Sequence, residues 1–344
     1  MDPITQAAFG ATWAGAAVAA GVVDSKDAND QSAVGTLLLL GALTGMAPDL
    51  DVFIRSSTDP MLALEFHRQF THSLLFIPFG ALICAGVFFA FLRRRLGFRQ
   101  TLLTCLFAYA SHGVLDACTT YGTLLLWPFA DLRVAWNNIS VVDPFFTVPV
   151  LTMVVLAVRR RRPHWTLLGL AWALSYLSFG VWQSERAEAA AAGLAAERGH
   201  GDVSAVIDAK PAFASLLVFK TVYEHEGVYY VDAVRTGLTA RVIEGESVPR
   251  LVLDRDLPWL DADSQQAKDL ERFRWFSADH LALNPQNSSQ VIDIRYSMVP
   301  QRLDPLWAIE VSESAAADQH VIWRPMRGDG ADRLSDLWDI WLDR

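Results

Sequence analysis

The chain has 344 residues and a formal net charge of −9; 52% of its residues are apolar and only 19% are charged. Soluble domains carry about 25% charged residues, so the composition argues against an ordinary soluble protein and indicates a membrane-embedded part. The three cysteines form no CxxC pair, and neither a disulfide framework nor a cysteine zinc site is readable.

The composition changes at about residue 183. Residues 1–182 hold 12 Lys and Arg against 11 Asp and Glu, whereas the remainder holds 17 against 27. A nearly neutral, apolar half followed by an acidic half predicts an integral-membrane domain over 1–182 and a soluble domain over 183–344. The negative charge of the second half argues against nucleic acid as a direct partner.

Six apolar segments of the first half are candidate spans, because a span needs about 20 mostly apolar residues. They are 5–23, 33–54, 72–92, 101–118, 144–158 and 165–182. The first is rich in Ala and Gly and suits a helix packed inside a bundle. The fifth is short and contains Pro149, so full crossing by these two segments stays open. The pattern predicts an all-α membrane helical bundle of about six spans.

Two arginine clusters set the orientation of these spans. One joins the third and fourth segments and the other the fifth and sixth: Arg93, Arg94, Arg95 and Arg99, then Arg159, Arg160, Arg161 and Arg162. If the spans alternate, both clusters lie on one side, which the positive-inside rule identifies as the cytoplasm. We therefore expect a multi-pass protein of the bacterial inner (plasma) membrane whose second half is extracytoplasmic.

The ionisable side chains of the first half gather at the outward ends of the spans. His112 and Asp116 are four residues apart, so they share one face of a helix. Imidazole and carboxylate groups suit zinc or another first-row divalent ion. The candidate ligands outnumber those of one tetrahedral ion, so the pattern allows one or two zinc ions, or one ion and a general base. They are Asp49, Asp51, His67, His72, His112 and Asp116.

Further polar residues on the same side are candidates for substrate binding: Arg68, Arg133, Asn137, Asn138 and Asp143. The arginines either snorkel at the interface or bind an anionic group such as phosphate. The asparagines either orient a ligand or form turns. Catalytic roles are expected for Asp49, His72 and Arg68.

Five motifs in order over about residues 1–155 resemble the YdjM family of inner-membrane metal-dependent hydrolases. They are MDPITQAAFGA, GALTGMAPDLDVF, FHRQFTHSLLF, SHGVLDACTTYGTLLLWPF and VAWNNISVVDPFFTVP. Many members carry His where this chain has Gln6, which would be at best a weak oxygen ligand. One member is described as binding the LexA repressor, so the resemblance also suggests a LexA-type partner. Such a cytoplasmic partner fits poorly with an outward-facing site.

A more distant similarity is to zinc-dependent phospholipase C and the fungal single-strand nucleases. It rests on Asp51 with His67 sixteen residues later, and on His112 and Asp116 in an HxxxD motif. By that resemblance Asp49 or Asp51, His67, His112 and Asp116 would bind metal, and His72 would be a further ligand or a general acid. A second HxxxD motif and an N-terminal His are missing, which puts a full trinuclear cluster in doubt.

The second half has the pattern of a small α+β domain. Its four histidines show no ligand spacing: His200, His225, His280 and His320. The predicted elements are a helix over 184–199, a hairpin over 215–234 with HEG at its turn, an amphipathic helix over 264–283, strands over 290–299, 306–312 and 320–325, and a terminal helix over 331–342.

Three functions remain open from the sequence. The first is a phospholipase C-like hydrolase at the outer face of the membrane, acting on a phosphodiester or ester of a membrane lipid or another amphipathic small molecule. The second is a proton- or cation-coupled carrier, although carrier sites usually lie near the bilayer midplane. The third is a non-catalytic scaffold with a structural metal, which closed four-ligand coordination would favour.

Overall fold

The computed structural model describes residues 1–24, 32–201, 203, 206–326, 336–338 and 340–341. Contacts among the residues divide the chain into two compact units. Unit 1 is Met1–Phe53 with Phe66–Val181, and unit 2 is Ile54–Glu65 with Trp182–Arg344. The division after Val181 lies one residue from the predicted boundary. Segment 54–65, which the sequence pattern assigned to the membrane half, groups with unit 2 instead.

Unit 1 is helical. Short 3-10 helices precede α3 and lie between α3 and α4, at Ala47–Phe53, Phe70–His72 and Leu74–Phe76. The helix His164–Glu197 begins in unit 1 and continues into unit 2, which confirms the helix predicted over 184–199. The α-helices are α1 Pro3–Ala19, α2 Ser32–Gly45, the short α3 Leu62–Phe66 at the edge of the unit, α4 Ile77–Leu92, α5 Phe98–Ala117, α6 Pro144–Arg160 and α7 His164–Glu197.

Among the described residues, three helical stretches are long and apolar enough to cross a membrane, fewer than the six predicted. They are Ala33–Phe53, Leu74–Leu92 and His164–Glu197. Helices are present in the other three predicted segments, but α1 and α6 have 17 residues each, and polar side chains recur along α5. These three helices pack with the candidate spans in unit 1.

Glycine allows α1 and α2 to pack closely. A Cβ atom at Gly10 would lie 2.6 Å from the carbonyl oxygen of Gly41, and one at Gly45 would lie 2.7 Å from that of Gln6. Small residues at a helix crossing are the usual means of close approach in membrane proteins. The contact places the start of α1 beside the end of α2, where the candidate ligands lie.

Unit 2 contains two antiparallel sheets. The first has five strands in the order β1-β2-β3-β4, with β5 also paired to β3; the second has four in the order β6-β7-β8-β9. Two helices, α8 Leu253–Asp256 and α9 Gln265–Phe276, lie between the two groups of strands in sequence. The strands are β1 Asp208–Pro211, β2 Val218–His225, β3 Val228–Thr236, β4 Ala240–Ile243, β5 Ser247–Pro249, β6 Leu281–Asn284, β7 Asn287–Asp293, β8 Trp307–Glu310 and β9 Ile322–Pro325.

Several predicted elements of this domain are confirmed. The hairpin is β2–β3, and its turn residues Glu226 and Gly227 have φ of 50° and 75°, as a tight hairpin turn requires. The strand pair predicted over 290–299 and 306–312 is β7–β8. The helix predicted over 264–283 ends at Phe276, because Leu281 already begins β6. The predicted helix over 331–342 lies largely outside the described residues.

An arginine of α9 holds segment 54–65 within unit 2. Arg272 donates to both carboxylate oxygens of Asp59 at 2.9 Å, to Glu65 Oε2 at 2.8 Å and to Asp269 Oδ1 at 3.1 Å. Burial raises the pKa of the Asp59 carboxyl, but its hydrogen bonds, chiefly with Arg272, hold that pKa below its usual value. Bidentate charge-assisted bonds of this kind are among the stronger ones.

Replacing Arg272 with leucine is expected to release this segment. The free energy of unfolding of unit 2 should fall by about 1–3 kcal/mol, because the buried Asp269 and its neighbours lose their cation. Trypsin cleavage after the exposed Arg55 should accelerate about tenfold, since 1.4 kcal/mol corresponds to a factor of ten. Peptide mass spectrometry over a digestion time course measures this.

The matched control is Arg324→Leu, which removes an ion pair with Glu310 in which the arginine side chain is 47% exposed. Such pairs contribute about 0–1 kcal/mol, so cleavage after Arg55 should stay near the wild-type rate. Equal cleavage rates in the Arg272 variant and the wild type would contradict the role of Arg272.

Candidate metal centre

Three segments of unit 1 bring the predicted ligands together. The 3-10 helix Ala47–Phe53, which follows α2, carries Asp49 and Asp51. Pro48 fits there because the first turn of a helix leaves its N–H groups without intrahelical acceptors. The other two segments are the loop before α4, which carries His67 and His72, and the end of α5, which carries His112 and Asp116.

Four side chains converge on one point. The Nε2 atoms of His72 and His112 are 2.9 Å apart. Asp49 Oδ1 lies 3.5 Å from the first and 3.4 Å from the second, and Asp116 Oδ2 lies 3.3 Å and 3.7 Å from them. His72, His112 and Asp116 have fully buried side chains, whereas that of Asp49 is 23% exposed.

Hydrogen bonds at the Nδ1 atoms of His72 and His112 determine the tautomer of each ring. They decide whether the Nε2 atom carries a proton or a lone pair. His112 Nδ1 lies 2.6 Å from the carbonyl oxygen of Gly45 and must donate to it. Thr71 donates its hydroxyl proton to Asp51 Oδ2 at 3.1 Å, so its oxygen accepts from His72 Nδ1 at 2.9 Å. In the neutral rings both Nε2 atoms therefore carry lone pairs. Two lone pairs at 2.9 Å repel each other unless a cation attracts both.

These positions fit a divalent ion. Zinc bonds to nitrogen and oxygen are about 2.0–2.2 Å, so the ligand atoms of a tetrahedral site stand about 3.3–3.6 Å apart. The measured separations of 2.9–3.7 Å bracket that value. Asp116 Oδ2 is buried and is paired with the guanidinium of Arg68 at 2.9 Å, and, within the described part of the chain, Gln6 Oε1 is buried without a hydrogen bond. The imidazole and carboxylate groups suit zinc or a similar ion.

Asp51 and His67 lie beside this group. Asp51 accepts from the backbone N–H of Arg68 at 2.8 Å and lies 2.8 Å from His67 Nδ1. With Asp49, these two residues form a second set of groups that could hold a metal ion. Helix α4 begins at Ile77, so both His67 and His72 precede it; their ring centroids are 6.2 Å apart. The geometry thus accommodates one ion or two.

Two arginines lie against one aromatic ring beside the ligands. Arg68, only 4% exposed, places Nε 2.9 Å from Asp116 Oδ2 and donates Nη1 to Thr119 at 2.9 Å. Its burial contradicts the snorkelling interpretation. Arg133 donates Nη2 to the carbonyl of His67 at 3.2 Å. The guanidinium carbons of Arg68 and Arg133 lie 4.9 Å and 5.8 Å from the centroid of Tyr121, so both guanidinium groups lie on the same side of the centre.

The other predicted substrate-binding residues have different contacts. Asp143 is buried and caps α6 through the N–H groups of Phe145 and Phe146, and it also accepts from Tyr176. Asn138 donates its backbone N–H to Cys118 at 3.0 Å, and Asn137 has a positive φ of 53°. The capping role accounts for the buried carboxylate of Asp143 without any ligand. Substrate contacts of Asp143, Asn137 and Asn138 stay predictions.

Gln6, which the sequence marked as at best a weak oxygen ligand, donates its amide N–H to Asp116 Oδ1 at 2.7 Å. Other neighbours of the centre were not singled out from the sequence. The amino group of Met1 contacts the same carboxylate. Thr71 and Tyr121 belong to the THS and TTYGT motifs, but only their contacts reveal what they do. A Cβ atom at Gly113 would lie 2.3 Å from the carbonyl oxygen of His72, so this glycine allows α5 to reach the loop.

A third set of groups that could hold a metal ion lies in unit 2 and comprises Asp59, Asp269 and His320. Thus one histidine of the second half does join an acidic group, although its sequence spacing gave no sign of it. Arg272 already binds both carboxylates, and His320 Nδ1 lies 2.8 Å from Asp269 Oδ2. We interpret this set as an ion-pair network.

Comparison with known proteins agrees with the motifs. The family model of the YdjM inner membrane protein matches residues 1–187. The chain is 28% identical over 171 residues to the uncharacterized protein YfhP of Bacillus subtilis (strain 168), covering 49% of this chain and 50% of YfhP. It is 34% identical over 150 residues to the inner membrane protein YbcI of Escherichia coli (strain K12), covering 40% of this chain and 83% of YbcI.

The chain thus spans about half the length of YfhP. No solved structure matches it. The family match covers more than half of the chain and includes every residue of the metal centre. The chain therefore belongs to the YdjM inner membrane protein family.

Proposed function

We propose that this protein is a membrane-embedded metal-dependent hydrolase that cleaves a phosphodiester or ester bond in a lipid or another amphipathic molecule. The observation that carries the proposal is the pair of imidazole Nε2 atoms 2.9 Å apart, with both Nδ1 atoms committed as donors. His72, His112, Asp49 and Asp116 would hold the ion. A bound divalent ion acts as a Lewis acid and lowers the pKa of a coordinated water.

The protein's own residues prepare this chemistry. Asp51, through Thr71 and the backbone N–H of Arg68, orients the loop that carries His72. Arg68 and Arg133 supply positive charge next to the ligands, which suits the oxygens of a phosphate group. An ester without phosphate would have less use for two guanidinium groups, so the phosphodiester is the favoured substrate class.

Exposure within the centre favours catalysis over a structural metal. Structural zinc sites are closed by four protein ligands, whereas catalytic sites keep one position open. Asp49 and His67, whose side chains are 23% and 28% exposed, lie on an accessible side, while His72, His112 and Asp116 are buried. This arrangement would admit substrate from one direction.

The proposed location is the outer face of the inner membrane. Along α5, Arg99 and Asp116 lie at opposite ends, separated by about 25 Å at 1.5 Å per residue. The arginine-rich connections after α4 and after α6 would face the cytoplasm under the positive-inside rule. The metal centre would then lie near the headgroups of the opposite leaflet.

Metal depletion and restoration test the proposal. Detergent-purified protein should hydrolyse bis(4-nitrophenyl) phosphate or phosphatidylglycerol in mixed micelles, lose this activity after treatment with a chelator, and regain it with zinc or manganese. Metal that binds without any hydrolysis of phosphodiesters or carboxylic esters would point to the structural scaffold. Protein that binds no metal would remove the hydrolase proposal and favour the carrier.

A further inference from the structure

One end of the first sheet of unit 2 carries exposed apolar side chains. Phe213 and Leu217 of the β1–β2 turn are 43% and 48% exposed, and Leu238 of the β3–β4 turn is fully exposed. Both turns lie at the same end of the sheet, because the start of β2 pairs with the end of β3, Val218 with Arg235. These three side chains are called the apolar end of the sheet below.

The opposite end of the same sheet is polar. It is formed by the β2–β3 hairpin turn, where the side chains of His225 and Glu226 are 28% and 86% exposed. Single exposed apolar residues scattered over a surface need no explanation, whereas a group of them at one place marks a contact surface. The apolar end is therefore a candidate contact surface, and the polar end is not.

Two side chains of α7 hold the turns of the apolar end. Gln183, which is buried, donates its amide to the carbonyl oxygens of Leu216 and Thr236, both at 3.2 Å. Arg186 donates to the carbonyl oxygens of Thr236 and Gly237, both at 2.9 Å. Both turns are thus fixed to the same turn of the helix.

The residues that follow α7 hold the other end of the sheet. Arg198 donates to the hydroxyl of Tyr223 at 3.1 Å, and the ring of His200 stacks on that of His225 with centroids 4.3 Å apart. Three alanines of the intervening helix pack in one core with strands of the sheet: Ala187, Ala191 and Ala195. The later part of α7 therefore runs along the sheet, and its earlier residues lie at the apolar end.

The apolar end adjoins the place where a candidate membrane span ends. The helix His164–Glu197 is one of the candidate spans. Its apolar stretch, residues 165–182, rises by about 27 Å at 1.5 Å per residue, close to the hydrocarbon thickness of about 30 Å. Trp182 closes this stretch, and tryptophan is enriched at membrane–water interfaces. Turns fixed to Gln183 and Arg186, one and four residues later, would lie at the depth of the headgroups.

We propose that Phe213, Leu217 and Leu238 insert into the headgroup region of the bilayer that α7 crosses. Lipid is the partner because the helix that holds both turns is continuous with the candidate span. Apolar side chains of interfacial segments lie about 5–10 Å deep, at the boundary between headgroups and acyl chains. This membrane contact is independent of the metal centre and of the proposed reaction.

Fluorescence quenching by lipid nitroxides tests the contact. Full-length Leu238→Cys protein is labelled with the fluorophore NBD; the three native cysteines are buried, and wild-type protein gives the background labelling. The protein is reconstituted in vesicles of phosphatidylethanolamine and phosphatidylglycerol with headgroup nitroxides in both leaflets, so the direction of insertion does not matter. We expect quenching at least about threefold stronger than for a label on Glu226→Cys at the polar end, because only the apolar end reaches the interface.

Two further variants carry the label at position 238. Phe213→Asp combined with Leu217→Asp should lower the quenching to about the level at position 226, since charged side chains disfavour insertion. The matched control is Ile322→Asp, at an exposed apolar residue of β9 in the second sheet, which should leave the quenching unchanged. Circular dichroism checks that each variant is folded.

Quenching at position 238 no stronger than at position 226 would overturn the proposal, as would quenching that survives the paired aspartates. A disulfide-linked dimer of the Leu238→Cys protein without lipid quenching would also overturn it, because the apolar end would then be covered by a second copy of the chain.

Discussion

Replacing His112 with alanine is expected to abolish metal binding and hydrolysis together. His112 supplies one of the two facing Nε2 atoms and is fully buried, with its other nitrogen bonded to Gly45. Loss of an outer-shell partner typically costs 10–100-fold in metal affinity or activity, so loss of a direct ligand should cost at least about 100-fold. Elemental analysis and phosphodiesterase assays on the same samples measure both effects.

His164→Ala is the matched control, because this histidine is exposed at the start of α7 and outside every candidate metal group. It should retain wild-type metal content and activity. A His112→Ala protein that keeps its metal would remove His112 from the ligand set, whereas one that loses metal but keeps hydrolysis would separate the metal from the reaction.

Replacing Gly113 with alanine is expected to damage the centre without removing any ligand. The added Cβ would lie 2.3 Å from the carbonyl oxygen of His72, so either the loop or α5 must move. Overpacking of this kind costs about 1–3 kcal/mol, and a displacement of 1 Å at a catalytic group can cost about 100-fold in rate. We expect a fall of about that size in kcat, with helix content by circular dichroism unchanged.

Gly86→Ala serves as its control, since an added methyl group there meets open space and alanine is the better helix former. It should be neutral or slightly stabilising. Full activity in Gly113→Ala would mean that the loop yields without cost, and the close packing of α5 against His72 would then have no bearing on the site.

Local patterns in the sequence predicted much of the fold. The alternation of apolar and polar residues on either side of the HEG turn was enough to predict the β2–β3 hairpin, because turn and strand signals are local. The four-residue spacing of His112 and Asp116 likewise placed both on one helical face. Three of the six predicted spans are confirmed as candidates in the described part of the chain. Of the other three segments, α1 and α6 form 17-residue helices and α5 carries polar side chains.

Contacts distant in sequence could not be predicted in the same way. Arg272 binds Asp59 across more than two hundred residues, and no local pattern marks this pair or assigns segment 54–65 to unit 2. The role of Thr71 could not be predicted from the sequence for a related reason. Its hydroxyl fixes the orientation of His72 only because the loop brings Asp51 next to it.

Zinc-edge X-ray absorption on the purified wild-type protein is the most direct test of the metal centre. The candidate ligands are two imidazole nitrogens and carboxylate oxygens, so the proposal predicts a first shell of nitrogen and oxygen at about 2.0–2.2 Å with the outer-shell scattering of two histidines. The three cysteines are buried and free and lie outside the candidate metal groups. A sulfur shell at about 2.3 Å, or a spectrum without histidine scattering, would contradict the account.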